Sequence, residues 1–123
     1  MIRDYKDLIV WNKSMELVTE VYRLVKLLPK EETYALSDQI RRSAVPIPSN
    51  IAEGHSRKHD KELLYFLYIA KGSKAELETQ IQIAMNLGYF SQEDAAEVIR
   101  LSNDTGMLLN AFITKIENKR KPN

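Results

Sequence analysis

The chain has 123 residues, a formal net charge of +1 and no cysteine, with 44% apolar and 28% charged residues. This is the composition of one soluble globular domain, and it excludes a disordered chain, a disulfide scaffold and thiolate metal sites. The near-neutral charge also gives no bulk positive field of the kind that marks many nucleic-acid-binding proteins. With only four glycines and four prolines, the chain encodes few tight turns, which disfavours an all-β fold.

The first predicted helix runs from about Leu8 to Leu28, and Pro29 ends it because the residue before a proline is pushed out of helical geometry. Apolar residues along it alternate at spacings of three and four, which is typical of a bundle helix. The predicted core stripe consists of Leu8, Trp11, Met15, Val18, Tyr22 and Val25. This phase predicts that Trp11 is buried.

The second predicted helix follows a short acidic link and contains two prolines, Pro46 and Pro48. Either the helix ends before the prolines and restarts after them, or it continues with a kink. Its apolar stripe keeps one phase across both prolines, at Leu36, Ile40, Ala44, Ile47 and Ile51. The unbroken phase favours a kinked continuous helix, with Gly54 as its terminator.

The third predicted helix runs from about Asp60 to Leu87 and is capped by Gly88. The fourth opens at Ser91, where Ser91 and Asp94 resemble a capping box with Asp in place of the usual Glu or Gln. Its predicted stripe consists of Ala95, Val98, Leu101 or Ser102, Thr105, Leu108, Phe112 and Ile116.

Four long helices joined by short links predict an all-α fold, an up-down-up-down antiparallel four-helix bundle. The prediction treats residues 1–123 as one domain, with the second helix kinked at Pro46 and Pro48. The basic C-terminal tail, residues 119–123, is expected to be frayed.

The third helix carries more apolar surface than one core needs, and in a small bundle a second subunit is the natural cover for it. Ile83 is out of phase with Leu77 and Ala84 and is therefore expected to face outward. The predicted oligomer interface consists of Leu64, Ile83 and Met85. The alternative is a set of singly exposed apolar residues, which need no explanation.

The sequence contains no recognisable catalytic, phosphate-binding or dinucleotide-binding motif, so we expect neither an enzyme nor a cofactor or small-molecule substrate. His55 and His59 are spaced by four, but they follow a glycine in a predicted loop, so exposed loop histidines are favoured over a metal site. The longest apolar run, Leu63 to Ala70, is too short to cross a bilayer. Because the first residues also lack a signal-peptide core, we expect a cytoplasmic protein with no membrane partner.

Polar and basic residues cluster around the link between the second and third helices. A local hydrogen-bond network is predicted for Gln39, Asn50 and Glu53, with Glu53 and Arg57 spaced to form an ion pair. The candidate binding residues are Arg41, Arg42, Arg57, Lys58 and Lys61 near one end, with Lys119, Arg120 and Lys121 on the tail. No aromatic residue is interleaved with them on the loop side, so any RNA is expected to be held through phosphates with little sequence preference. Solvated helix ends and a purely structural network are the alternatives.

Several segments of the chain resemble the four-helix bundle proteins encoded in intervening sequences of bacterial 23S rRNA genes, a family with the older label of a ribosomal protein family. The resemblance covers nearly the whole chain. Its most specific parts are the Asn-Ile-Ala-Glu-Gly and Ala-x-Gly-Ser-x-x-Glu motifs. It is carried by residues 8–11 (LIVW), 37–44 (SDQIRRSA), 47–54 (IPSNIAEG) and 66–76 (FLYIAKGSKAE). Pro46 departs from that pattern, since the family usually has a serine there.

The resemblance implies a small bundle that assembles as a homopentamer and has no established enzymatic activity. Accessory proteins of diversity-generating retroelements look like the same fold, and those pentamers carry positive surfaces that engage a reverse transcriptase and nucleic acid. We therefore expect an oligomeric scaffold that binds RNA or a ribonucleoprotein through basic surface rings. The alternative is a protein-interaction or structural module with no nucleic-acid contact.

Overall fold

The computed structural model describes residues 4–121, and within that range every regular element is helical. Single 3₁₀ turns precede the first helix and lie in the link that follows it. None of the helices in the described part has the length and apolar content of a membrane span. The α-helices are α1 (Ile9–Leu24), α2 (Leu36–Ala44), α3 (Pro46–His55), α4 (Asp60–Asn86) and α5 (Ala96–Arg120).

Helices α2 and α3 form one bent helix, as the unbroken apolar phase predicted. Val45, between them, has helical dihedral angles (φ −57°, ψ −39°), and its N–H donates to the carbonyl of Arg41 at 3.1 Å. Pro46 has no N–H to donate and crowds the turn before it, so the bend falls at this point. The hydrogen-bond ladder resumes at Ser49, whose N–H donates to Val45 at 3.4 Å.

The four helices pack as an up-down-up-down antiparallel bundle, as predicted. α1 packs on α5 and on the bent helix, and α4 packs on α2, α3 and α5. This topology places the start of α1, the end of α3, the start of α4 and the end of α5 at one end of the molecule. The α1–α2 and α4–α5 connections lie at the opposite end.

The core phase predicted for α1 is wrong by one residue from Trp11 to Tyr22, whereas Leu8 and Val25 at the two ends of the predicted stripe are buried as predicted. Of the predicted stripe, Met15 and Tyr22 are exposed, and Trp11 and Val18 are only half-buried on the flank of the core. The predicted stripe and the observed stripe have the same alternating spacing of three and four residues. The observed stripe contains Ser14, so it looks less apolar in the sequence. The Ser14 hydroxyl is satisfied within the helix, donating to the carbonyl of Trp11 at 2.7 Å. The buried positions are Val10, Ser14, Leu17, Val21 and Leu24.

Gly54 does not terminate the bent helix, which continues to His55. A Cβ at Gly54 would lie 2.9 Å from the Cβ of Phe66 and 3.1 Å from Cδ1 of Leu63. The glycine is therefore required for the close approach of α3 to α4, and the prediction of a helix terminator is wrong.

Gly88 does end α4, as predicted. It has a φ of +77°, its N–H donates to Met85, and the N–H of Tyr89 donates to Ala84, both at 3.0 Å. These bonds form the motif in which a left-handed glycine satisfies the last carbonyls of a helix.

The predicted capping box forms before α5. The N–H of Ser91 donates to Asp94 Oδ2, and the N–H of Asp94 donates to Ser91 Oγ, both at 3.0 Å. Regular helix begins later than predicted, at Ala96, after an intervening turn. The buried residues are Val98, Leu101, Ser102, Thr105, Leu109, Ile113 and Ile116, so Leu109 and Ile113 take the core places predicted for Leu108 and Phe112. The helix includes Lys119 and Arg120, whereas residues 122–123 of the predicted frayed tail lie outside the described residues.

Candidate functional site at the basic end

Two basic segments that are distant in the sequence meet at one end of the bundle. Lys119 Nζ of α5 lies 3.3 Å from Asp60 Oδ2, in the first turn of α4. About two turns farther along α4, the Tyr68 hydroxyl donates to Glu117 Oε2 at 2.5 Å. The end of α5 therefore packs beside the α3–α4 connection. We call this region the basic end; it consists of Arg57, Lys58, Lys61, Lys119, Arg120 and Lys121.

The cations of the basic end divide into paired and unpaired groups. Lys119 is paired with Asp60, and Arg57 lies 3.2 Å from Glu53 and 4.0 Å from Glu62. The Glu53–Arg57 pair is the one that their spacing predicted. The other four side chains are exposed and form no ion pair within residues 4–121; they are Lys58, Lys61, Arg120 and Lys121.

Aromatic side chains lie beside Arg57 and Lys61 at the start of α4, whereas the prediction that no aromatic residue is interleaved with the cations concerned only the loop side. The Arg57 guanidinium lies over the Phe66 ring, 4.9 Å from its centroid. Tyr65 meets the same ring edge-on, with the two centroids 5.2 Å apart. We call the resulting depression of about 380 Å³ the tyrosine concavity; it is lined by Arg57, Lys61, Glu62, Tyr65 and Phe66.

The sequence does contain a signal for this arrangement. Lys61 and Tyr65 are four residues apart, which places them on one face at the start of α4. The prediction considered only the loop side of Lys61 and therefore missed Tyr65 and Phe66.

A second depression, of about 500 Å³, lies between the start of α4 and the end of α5 and is lined by Leu64, Glu117, Arg120 and Lys121.

The hydrogen bond to the Glu117 carboxylate, followed by desolvation and the negative charge itself, raises the pKa of Tyr68 above its ordinary value. This hydrogen bond from the Tyr68 hydroxyl links α4 to α5.

Arg41 and Arg42 do not belong to the basic end. Arg41 donates to the carbonyl of Thr33, in the α1–α2 connection, at 3.1 Å, and Arg42 Nε donates to Asp38 Oδ2 at 2.9 Å. Both arginines lie on α2, whose start is at the opposite end of the bundle. Their predicted grouping with Arg57 is therefore wrong, because about 21 Å of bent helix separates Arg41 from His55, and Arg57 lies beyond that helix end.

The predicted polar network separates into local contacts. The Asn50 amide donates to the carbonyl of Pro46 at 2.8 Å and so satisfies an acceptor at the bend. Glu53 pairs with Arg57, and Gln39 is exposed. In the described range, no hydrogen bond joins Gln39, Asn50 and Glu53 to one another.

The outer face of α4 exposes apolar side chains at its far end. Ile83 is 42% exposed and Leu87 is 59% exposed. Gly72 lies on the same face, and a Cβ there would meet no atom within 4 Å. Of the other two residues predicted for an oligomer interface, Leu64 is buried in the core of the single chain and Met85 packs partly against it.

The two histidines lie close to the basic end, His55 as the last residue of α3 and His59 just before α4. No group of three or more potential metal ligands is found among the residues that the structure describes. The chemistry concentrated at this end is therefore that of unpaired cations beside exposed aromatic rings.

Comparison with known proteins agrees with this architecture. The chain is similar to a crystal structure, at 1.70 Å resolution, of a protein of unknown function from the S23 ribosomal protein family of Bacteroides thetaiotaomicron VPI-5482. The TM-score is 0.78 at 26% sequence identity, and the match covers 85% of this chain and 98% of that one. No curated protein matches the chain.

The family comparison is more extensive. The sequence pattern described as 23S rRNA-intervening sequence protein matches residues 6–111, which include all of α1 to α4 and most of α5. The chain belongs to the 23S rRNA-intervening sequence protein family.

Proposed function

We propose that this protein is a non-enzymatic, cytoplasmic scaffold that assembles into a homo-oligomer and binds RNA through its basic end. The observation that carries the proposal is the convergence of four unpaired cations from two distant segments, Lys58 and Lys61 with Arg120 and Lys121. Phosphate groups are the natural partners of such cations, because neutralising them releases counterions from the nucleic acid.

The local concentration of charge supports this proposal even though the whole chain carries only +1. A symmetric oligomer would repeat the four cations in every subunit, so a weak site would be strengthened by avidity. A ribonucleoprotein could supply the same RNA phosphates. A protein partner with no RNA is the competing reading, and the binding experiment below separates the two.

Self-assembly is proposed through the far end of the outer face of α4, which leaves Tyr65 at the start of the helix outside the contact. Ile83 and Leu87 expose apolar surface there. Burying that surface between copies removes apolar area from water. The resemblance to pentameric bundles favours five copies.

Light scattering coupled to size exclusion tests the assembly. We expect a mass near five times 14.2 kDa. Ile83→Glu should dissociate the oligomer, because a charge would be buried at the contact. Met107→Glu is the matched control, since Met107 is also exposed but lies on α5. A monomeric wild-type protein, or dissociation by the control alone, would contradict the proposed face.

Fluorescence anisotropy with labelled RNA across a salt series tests the binding. We expect affinity to fall with salt, with a slope near −0.7 for each neutralised phosphate of a single strand. If the wild-type protein binds no RNA at low salt and tens of micromolar concentration, the RNA proposal fails and the protein-interaction reading replaces it.

A further inference from the structure

We infer that Tyr65 is a stacking platform for an unpaired RNA base, with Lys61 of the same concavity holding a neighbouring phosphate. This inference rests on the proposed function and deepens it, because it identifies single-stranded rather than duplex RNA as the ligand. The earlier expectation, that RNA is held through phosphates alone, considered no aromatic group at the basic end.

The geometry of the tyrosine concavity suits stacking. Tyr65 is 63% exposed, yet it lies on the second turn of a 27-residue helix rather than on a loop. One side of its ring is supported by Phe66, and Phe66 in turn lies beneath the Arg57 guanidinium. The ring is thus held in place before any ligand arrives, which lowers the entropic cost of binding.

The charged residues at the tyrosine concavity have different roles, because some are paired and others are not. Arg57 is shared by Glu53 and Glu62, so its charge is largely neutralised and it serves to position Phe66. Lys61 and Lys58 have no carboxylate partner in the described part of the chain. A base stacked on Tyr65 therefore finds a neighbouring phosphate beside the Lys61 ammonium group, which lines the same concavity.

Duplex RNA fits this surface poorly. Its bases are already stacked on one another, so the Tyr65 ring on the side of α4 reaches only the sugar-phosphate edge of the duplex. Unpaired bases present a free face to the ring, and such stacking tolerates any base. The concavity therefore favours single strands over duplexes without demanding a particular sequence.

Another exposed tyrosine supplies a matched control. Tyr34 is 94% exposed, but it lies in the α1–α2 connection at the opposite end, two residues after Glu32. A stacking site at Tyr65 predicts that removing the Tyr34 ring changes nothing.

The experiment measures anisotropy with a labelled single-stranded 12-nucleotide RNA and with the duplex of the same sequence, at low salt and across a salt series. Tyr65→Ala should weaken single-strand binding on the order of 10- to 100-fold. Its salt slope and its duplex binding should match those of the wild-type protein. Tyr65→Phe should restore single-strand binding, and Tyr34→Ala should not alter it. Circular dichroism and light scattering establish that each variant is folded and assembled.

Three results would overturn the inference while leaving RNA binding itself intact. The first is equal loss of single-strand and duplex binding in Tyr65→Ala, and the second is no loss of either. The third is a fall in oligomer mass, since Tyr65 shares the outer face of α4 with Ile83, about 27 Å away along the helix. Absence of all RNA binding by the wild-type protein would instead overturn the proposed function, and the inference with it.

Discussion

The two ends of the bundle use their polar side chains differently. At the end that carries the α1–α2 and α4–α5 connections, these groups hold the backbone together. The Tyr89 hydroxyl donates to Glu32 Oε2 at 2.7 Å, and the other oxygen of Glu32 accepts the N–H of Leu36 at 3.2 Å, at the start of α2. Ser91 and Asp94 cap each other's backbone in the same way.

At the basic end, several charges are left over after folding. Arg57 and Lys119 are paired, but four cations are exposed and form no ion pair among residues 4–121: Lys58, Lys61, Arg120 and Lys121. Polar groups that already bond within the chain are not available to bind a partner, whereas unpaired cations are available. The opposite end also exposes two lysines that form no ion pair in the described range, Lys26 and Lys30, so the ends differ in how many such cations two distant segments bring together.

Both ends pack on one core, so the largest loss of unfolding free energy should come from a substitution in that core. Leu17 is fully buried in α1, and Leu17→Ala should cost about 2–5 kcal/mol of unfolding free energy. Met15→Ala is the control, because Met15 is exposed, and it should cost less than about 1 kcal/mol. Urea denaturation measures both. A larger cost for Met15 would restore the α1 phase predicted from the sequence.

A smaller effect is expected where α3 meets α4 at the basic end. Gly54→Ala should cost about 1–3 kcal/mol, because its Cβ would lie within 2.9 Å of the Phe66 Cβ. Gly72→Ala is matched to it in chemistry, but the site is open, so it should stabilise α4 by about 0.5–1 kcal/mol. Denaturation midpoints distinguish the two. Equal responses would mean that Gly54 has no packing role.

The smallest effect on stability is expected at the opposite end. The hydrogen bond to Glu32, followed by desolvation and the charges of Glu32 and Glu31, raises the pKa of Tyr89 above its ordinary value. A raised pKa in the folded state means stability that is fully present below the ordinary tyrosine pKa and is lost as pH rises through the raised value.

Tyr89→Phe should therefore be slightly less stable than the wild-type protein at neutral pH. The difference should disappear at alkaline pH, where Tyr89 itself ionises beside two carboxylates. Thermal unfolding of both proteins from pH 7 to pH 11 measures it. A difference that persists at the alkaline limit would show that the hydroxyl contributes through something other than this bond.

The helical architecture was predictable because local signals agreed with one another. The apolar phase continued across Pro46, and Gly88 and the Ser91–Asp94 pair marked helix ends that the structure contains. The phase of α1 was not predictable in the same way. Two stripes with identical spacing compete there, and only the packing of the other helices decides between them.

The candidate site was less predictable than the fold, because it depends on distances between segments. The meeting of Lys119 with Asp60 and the stacking of Arg57 on Phe66 each follow from how helices pack, and a linear sequence does not show that packing. The separation of Arg41 from Arg57 has the same cause. The Glu53–Arg57 and Lys61–Tyr65 spacings, by contrast, were available from the sequence alone.

The central claim is that the basic end, and not positive charge in general, binds RNA. The most direct test compares Lys58→Gln/Lys61→Gln with Lys26→Gln/Lys30→Gln, which removes two exposed lysines from the opposite end. Anisotropy with a single-stranded RNA across a salt series should show weaker binding for the first variant. Its salt slope should be shallower by about 0.7 for each lysine that contacts a phosphate. The second variant should match the wild-type protein. Equal losses in the two variants would contradict the account, because binding would then follow net charge rather than the arrangement of the basic end.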